Sequence, residues 1–184
     1  MRRVRYQVAC SLDGYIAGPN GEIDWITGGS DYDFEGLYAQ FDTLLMGRRT
    51  YEQVPGGVGG FGGKQVVVGS RTLKAEAHAG VEIVGVGLAE RVAELKGMAG
   101  KDIWLFGGGD LFRSLAAEGL VDTIEPAIIP VVLGGGVPMY PESGVRLELT
   151  LTGQRAYEGG MVLLEYAVQG ATARMGPAAA AAGE

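Results

Sequence analysis

The sequence predicts an α/β fold built on a mixed, mainly parallel sheet flanked by helices on both faces. Three observations lead there. Short apolar runs alternate with helical patterns as far as residue 117, the alternation that builds parallel βα units. Three consecutive glycines, Gly107, Gly108 and Gly109, join the apolar run 103–106 to a helical pattern that starts near Asp110. Beyond residue 122 the strand-like runs are separated only by turns, which adds an antiparallel edge.

Residues 3–11 read as the first strand, followed by a glycine-punctuated loop over 13–29. Phe34, Leu37, Tyr38 and Phe41 recur at three- and four-residue spacing, which predicts a helix over 31–41. Ser30 suits its N-cap, and Asp31 and Asp33 suit its first turn. A buried strand over 43–46 leads into a short helix that opens at Arg48. Residues 56–63 form a glycine-rich loop, 65–68 and 81–84 are strands, and 88–95 is an amphipathic helix. The strand 102–106 runs into the glycines, and the helix 111–117 leaves them. Three strands complete the chain, at 123–132, 147–154 and 162–168. Pro126 falls inside the first of these and lacks a ladder donor, which places that strand at an edge or a bulge. Residues 1–170 make one domain, and the Ala/Gly/Pro-rich stretch 171–184 reads as a disordered tail.

Composition narrows the function classes. The 184 residues are 47% hydrophobic and 20% charged, the profile of one folded globular domain. A net charge of −7, with Arg48-Arg49 as the strongest basic cluster, argues against nucleic acid. No segment is long enough to span a membrane. The apolar run after Arg3 is broken by Arg5 and Gln7, which excludes a secretory leader reading. The single cysteine, Cys10, sits in an apolar run. It reads as a core residue in a reducing, cytoplasmic setting. The single histidine, His78, lies in a polar stretch and supports neither a zinc site nor a Ser-His-Asp triad.

Strand, glycines, helix is an arrangement that binds phosphate. Glycine lets the backbone turn sharply and approach a ligand closely. The free amides and the positive dipole end of the next helix then face the anion. Two further strand ends carry matching chemistry: Arg48, Arg49 and Thr50 after the strand at 43–46, and Ser70 with Arg71 after the strand at 65–68. A guanidinium gives a phosphate two parallel, charge-assisted bonds. Each arginine alone reads as a solvated helix-start residue. The set, on neighbouring parallel strands, suits a pyrophosphate with one additional phosphate, as in NADPH.

In four segments the chain resembles the dihydrofolate reductase-like family, and more closely the branch containing the reductase domain of the riboflavin biosynthesis protein RibD. The segments are Ser11-Leu12-Asp13-Gly14-Tyr15-Ile16-Ala17, Met46-Gly47-Arg48-Arg49-Thr50-Tyr51, Phe106-Gly107-Gly108-Gly109 and Pro130-Val131-Val132-Leu133-Gly134-Gly135-Gly136. The likeness covers about residues 3–168. It implies NADPH as cofactor, a small-molecule substrate, and a homodimer as in related proteins. By the resemblance, Arg48, Arg49 and Thr50 hold adenine-side phosphates, and Ser70 and Arg71 read the 2′-phosphate. Gly107, Gly108 and Gly109, with Asp110 and Leu111, form the pyrophosphate turn. Ala9, Ile16 and Ala17 meet the nicotinamide carboxamide. Trp25 matches the aromatic that ends the first loop and counts with Asp31 toward the substrate. Asp31 stands 15 residues before Met46, the spacing of the substrate-binding carboxylate in dihydrofolate reductases. In the RibD branch Asp13 is the stronger catalytic candidate, although Asp13-Gly14 is also a favourable turn pair.

The chain departs from a folate reductase at Glu35, where an apolar or aromatic residue is expected against the pteridine. It carries no zinc-deaminase signature. Beyond the arginines given to the cofactor, no basic set stands ready for a phosphoribosyl substrate. The reading is an NADPH-dependent reductase acting on a pyrimidine- or pteridine-like heterocycle, resembling 5-amino-6-(5-phosphoribosylamino)uracil reductase. Two other classes share the same turns: a dinucleotide-binding module without turnover, and an interaction scaffold that binds no cofactor.

Overall fold

The computed structural model describes residues 1–54 and 61–173. Most of the expected loop at 56–63, and the tail beyond residue 173, lie outside the described residues. Eight strands form the main sheet: β1 (Val4–Ser11), β3 (Phe41–Gly47), β4 (Gln65–Gly69), β5 (Val81–Val84), β6 (Asp102–Gly107), β7 (Thr123–Ile129), β9 (Val145–Ala156) and β10 (Val162–Ala173). Their order is β5-β4-β3-β6-β1-β7-β10-β9. The first six are parallel, whereas β10 runs antiparallel to both β7 and β9. A small second sheet pairs β2 (Tyr15–Ala17) with β8 (Val137–Pro138).

Helices cover both faces, as expected. Val4, Tyr6, Val8 and Cys10 alternate along β1 and pack in one cluster with Val92 and Leu95 of α3 (Leu88–Gly97) and Leu111, Phe112 and Leu115 of α4 (Gly109–Ala117). On the opposite face Phe41, Leu44, Met46 and Trp104 meet Leu37 of α1 (Phe34–Tyr38) and Tyr51 of α2 (Arg48–Gln53). Cys10 lies in the first cluster, 2% exposed, and burial pushes its thiol up to about 11. That makes it a core residue and a poor nucleophile.

Arg5, Gln7 and Ser11, at odd positions of β1, carry polar groups. Arg5 pairs with Glu125 through two bonds of 2.7 Å, and both residues are buried. Gln7 donates to the Tyr32 hydroxyl at 3.1 Å. These partners satisfy groups that would be costly to bury alone.

Five expectations need correction. The helix expected over 31–41 is only Phe34–Tyr38, capped by Asp33, whose carboxylate accepts from the Gly36 amide at 2.8 Å. Ser30 is not the cap: its hydroxyl donates to Glu158 at 2.7 Å, while Asp31 accepts from the Glu158 amide at 3.0 Å. The strand that follows starts at Phe41 rather than residue 43, because Phe41 is wholly buried against Trp104. Pro126 is not on an edge strand: β7 lies between β1 and β10, in unbroken register with β1 from Arg5–Thr123 to Ser11–Ile129. The β7–β10 ladder skips Glu125 and Pro126, so the missing donor falls where no pair forms. Finally, the last strand runs to Ala173, three residues into the stretch expected to be tail.

Candidate functional site

The three suspected turns do start side by side. Gly47 at the end of β3 pairs with Gly69 at the end of β4, and Met46 pairs with Gly107 at the end of β6. Adjacent strands lie about 4.8 Å apart, so the turns open onto one carboxyl edge of the sheet, the place where such sheets bind ligands. Leu111 locks the arrangement from below. It is buried, and a Cβ on Gly47 or Gly69 would touch its side chain at 4.0 or 3.7 Å. The Leu111 side chain therefore belongs to the core.

The glycines of the β6–α4 turn differ in purpose. Gly107 has φ +144°, a conformation that favours glycine, and the Gly107–Gly108 peptide is cis. Gly108 has φ −100°. A Cβ there would meet Thr50 Oγ1 at 3.4 Å and Ile16 Cδ1 at 4.0 Å, so its hydrogen faces a small space walled by Thr50 and Ile16. Gly109 is different: a Cβ would lie 2.6 Å from the Pro138 carbonyl and 2.8 Å from Pro141. Internal packing already demands that glycine. The Leu111 and Phe112 amides return to the Gly108 carbonyl at 3.1 Å. Among the described residues, the Gly109 and Asp110 amides stay with the unpaired donors of a first helical turn. Asp110 is exposed and pairs with Arg113 at 3.3 Å.

Arg48 is engaged by Glu52 one helical turn later, at 2.8 Å. Arg49 and Arg71 are exposed, and among the described residues neither side chain has a partner. The Ser70 hydroxyl accepts from the Thr72 and Leu73 amides at 3.2 and 3.0 Å, so it shapes its own turn. His78, which offered no partner in the sequence, shares a 3.0 Å hydrogen bond with Tyr51 of α2.

Asp13 holds a loop. Its carboxylate accepts from the Leu133 amide at 3.1 Å and the Gly134 amide at 2.8 Å. The Ser11 hydroxyl first, and then these amides, hold its pKa below the usual carboxylate range. An ionised carboxylate with both oxygens engaged positions the 133–134 segment and is a poor proton donor. Asp31 is exposed and lies before α1, tied to the Glu158 amide, so its spacing from Met46 does not place it on the helix. Glu35 is likewise exposed. Ala17 is buried, and its carbonyl faces Gly136, where any Cβ would collide with it. Trp25 donates to the Glu22 carbonyl at 3.0 Å and packs with Ala9, Tyr32, Val131 and Tyr157 around buried Ala127, Ile129 and Met161.

Sequence reasoning missed an aromatic wall on the α1 face. Phe34, 54% exposed, lies near-parallel to Tyr38 at 6.0 Å, and Trp104 stands 6.1 Å from Phe34 and 5.1 Å from Phe106. The three- and four-residue spacing marked Phe34 and Tyr38 as a helix face; what it could not show is that Phe34 stays half open. A hollow of about 220 Å³ lies elsewhere, between Phe112 of α4, Tyr140, Pro141 and the β9 residues Val145, Leu147 and Leu149. It holds none of the site residues.

The family described as the RibD C-terminal domain matches residues 2–55 and 61–163. Two uncharacterised Bacillus subtilis proteins, YyaP and YwjB, are each 33% identical, over 178 and 172 residues. Each alignment takes in 90% of this chain, with 94% of YyaP and 97% of YwjB. The riboflavin biosynthesis protein RibD of Corynebacterium ammoniagenes is 26% identical over 150 residues, covering 73% of this chain and 44% of RibD. Among solved structures, a Shewanella sp. PV-4 protein provisionally named for riboflavin biosynthesis superposes with a TM-score of 0.75 at 26% identity. That superposition covers 92% of this chain and 99% of the other. A Thermotoga maritima diaminohydroxyphosphoribosylaminopyrimidine deaminase/5-amino-6-(5-phosphoribosylamino)uracil reductase gives 0.70 at 16% identity, over 91% of this chain and 56% of its own. At that identity the likeness is one of fold.

Proposed function

This chain belongs to the RibD C-terminal domain family, and on that premise we propose that it is an NADPH-dependent reductase acting on a planar pyrimidine- or pteridine-like ring. The observation that carries the reading is the level start of three turns on neighbouring strands, with two exposed guanidiniums, Arg49 and Arg71, on two of them. The residues present fit the cofactor: the Gly108 hydrogen faces a space that a Cβ would fill, and the flanking donors are cationic or backbone amides.

In this reading Arg49 and Arg71 grip the phosphate on the adenosine ribose. The Gly109 and Asp110 amides, at the positive end of α4, receive the pyrophosphate. Ala9, Ile16 and Ala17 border the nicotinamide end. Bound NADPH supplies the hydride. Its arrival at a C=N or C=O carbon leaves negative charge on the heteroatom, which a proton must neutralise. Asp13 serves this chemistry by fixing the segment 133–134, and the proton comes from water. The half-open ring of Phe34, backed by Tyr38, Trp104 and Phe106, suits a flat ring. The 5-amino-6-(5-phosphoribosylamino)uracil named for the Thermotoga neighbour carries one such ring, and pterins carry another.

The test has two stages. NADPH titration measures binding, with NADH as the control. Loss of NADPH absorbance is then followed with pterins and ribosylaminopyrimidines in turn. Binding with oxidation by a heterocycle supports the proposal. Binding without oxidation by any of them would leave a dinucleotide-binding module, and no NADPH binding would leave a scaffold.

The proposal includes a homodimer. β9 is an edge strand of 12 residues, with Leu149 and Leu151 40% and 49% exposed. An open edge with apolar side chains is a template for a second copy. Sedimentation of the wild type and of Leu151→Glu tests it; a monomeric wild type removes it.

A further inference from the structure

We propose that the Tyr51–His78 hydrogen bond is a latch that holds the two arginine-bearing turns at the separation a 2′-phosphate requires. Tyr51 and His78 are then positioning residues that set selectivity for NADPH over NADH; this rests on the cofactor reading above.

Arg49 sits in α2, two residues before Tyr51. Arg71 sits in the β4–β5 loop, which His78 closes. That loop is fastened at two ends. At its start the Ser70 amide donates to the Val84 carbonyl at 3.0 Å, and the Ser70 hydroxyl caps the Thr72 and Leu73 amides. At its close the His78 amide donates to Ala75 at 3.0 Å, and the His78 carbonyl accepts from Val81 at 3.2 Å. These bonds shape the loop without tying it to α2. Among the described residues, the Tyr51 Oη–His78 Nδ1 bond of 3.0 Å is the one hydrogen bond from α2 to this loop. The two rings meet edge to face at 5.3 Å, and Tyr51, Leu73, Val81 and Ile83 all pack against one buried cluster.

Ring packing alone would keep the elements in contact. A directional bond at the ring tip does more, because it fixes how far α2 turns relative to the loop. Two guanidiniums closing on one phosphate need that precision, since charge-assisted bonds weaken quickly with distance and angle. A ligand with a bare ribose hydroxyl at the same place has no such requirement.

The experiment measures dissociation constants for NADPH and NADH on the full chain, comparing wild type, Tyr51→Phe, His78→Ala and the double variant. Tyr51→Phe keeps the ring and its packing. It should weaken NADPH about three- to tenfold while leaving NADH nearly unchanged, the size expected from one lost hydrogen bond. His78→Ala should do the same, and the double variant should be no worse than either, because both substitutions remove one interaction. An unchanged NADPH/NADH ratio in Tyr51→Phe overturns the latch. So does equal weakening of both cofactors, which marks a merely structural contact. A wild type that does not prefer NADPH overturns the cofactor reading itself, so the two failures are told apart in the first measurement.

Discussion

Arg49 and Arg71 stand exposed, without a partner among the described residues, so their donors are open to an incoming phosphate. Arg48 is already held by Glu52 and has less to give. Arg49→Ala or Arg71→Ala should weaken NADPH binding by about ten- to a hundredfold, from the roughly 1.5–3 kcal/mol of a charge-assisted bond. NADH should be far less affected. Isothermal titration of both cofactors checks this, and equal losses for the two would contradict the assignment. Asp13 makes a different prediction. Its pKa is depressed in the folded protein, so the stabilisation it gives is present above its unfolded value and is lost as pH falls through the folded one. The tie to Leu133 and Gly134 therefore holds at neutral pH and opens only in acid. Asp13→Asn sets an amide NH₂ against a backbone N–H, which breaks one of the two bonds. Turnover with an identified substrate should fall while NADPH affinity stays nearly intact. Asp31→Asn should have the smaller effect on turnover, because Asp31 lies exposed outside α1 and holds only the Glu158 amide. A larger loss from Asp31→Asn would return the chemistry to the folate-reductase pattern.

In the proposed reading the glycine turn separates ligand space from packing within three residues. Gly108→Ala places its Cβ 3.4 Å from Thr50 Oγ1 with φ at −100°, so the fold should persist. NADPH affinity should drop, because the methyl fills the space that the proposed cofactor reading gives to the pyrophosphate. Gly109→Ala drives its Cβ to 2.6 Å from a backbone carbonyl. That overpacking should cost about 1–3 kcal/mol of stability, read by urea denaturation. Unchanged NADPH binding in a folded Gly108→Ala protein would make the whole turn structural. Other elements show how far local pattern reaches. The glycines were legible because strand, turn and helix adjoin in sequence. The start of α1 was not, because Ser30 and Asp31 are drawn away by Glu158, 128 and 127 residues distant. Pro126 misled for a similar reason: its missing donor matters only on the side facing β10, and pairing there is set by a strand some 40 residues later.

The sheet assembles the site from segments that the sequence could name but not join. Its class was readable from alternating runs, and the family motifs marked the turns. The order β4-β3-β6-β1, which brings Arg71, Arg49, Gly108 and Ile16 to one edge, follows from long-range pairing that no local window contains. The Tyr51–His78 contact is of the same kind, since neither residue signals its partner. A ligand that bridges three strand ends must stabilise the whole molecule, which gives the most general test. At a hundred times its dissociation constant a ligand specific for the native state adds about 2.7 kcal/mol. For a chain of this size each kcal/mol raises Tm by about 2–4 °C, so saturating NADPH should raise it by about 5–10 °C. At that same concentration, a tenfold affinity loss in Arg71→Ala removes about 1.4 kcal/mol of that, and the shift should shrink by about 3–5 °C. NADH should give the smaller shift with both proteins. A wild type whose Tm does not move with NADPH has no cofactor site at this edge, whatever its family.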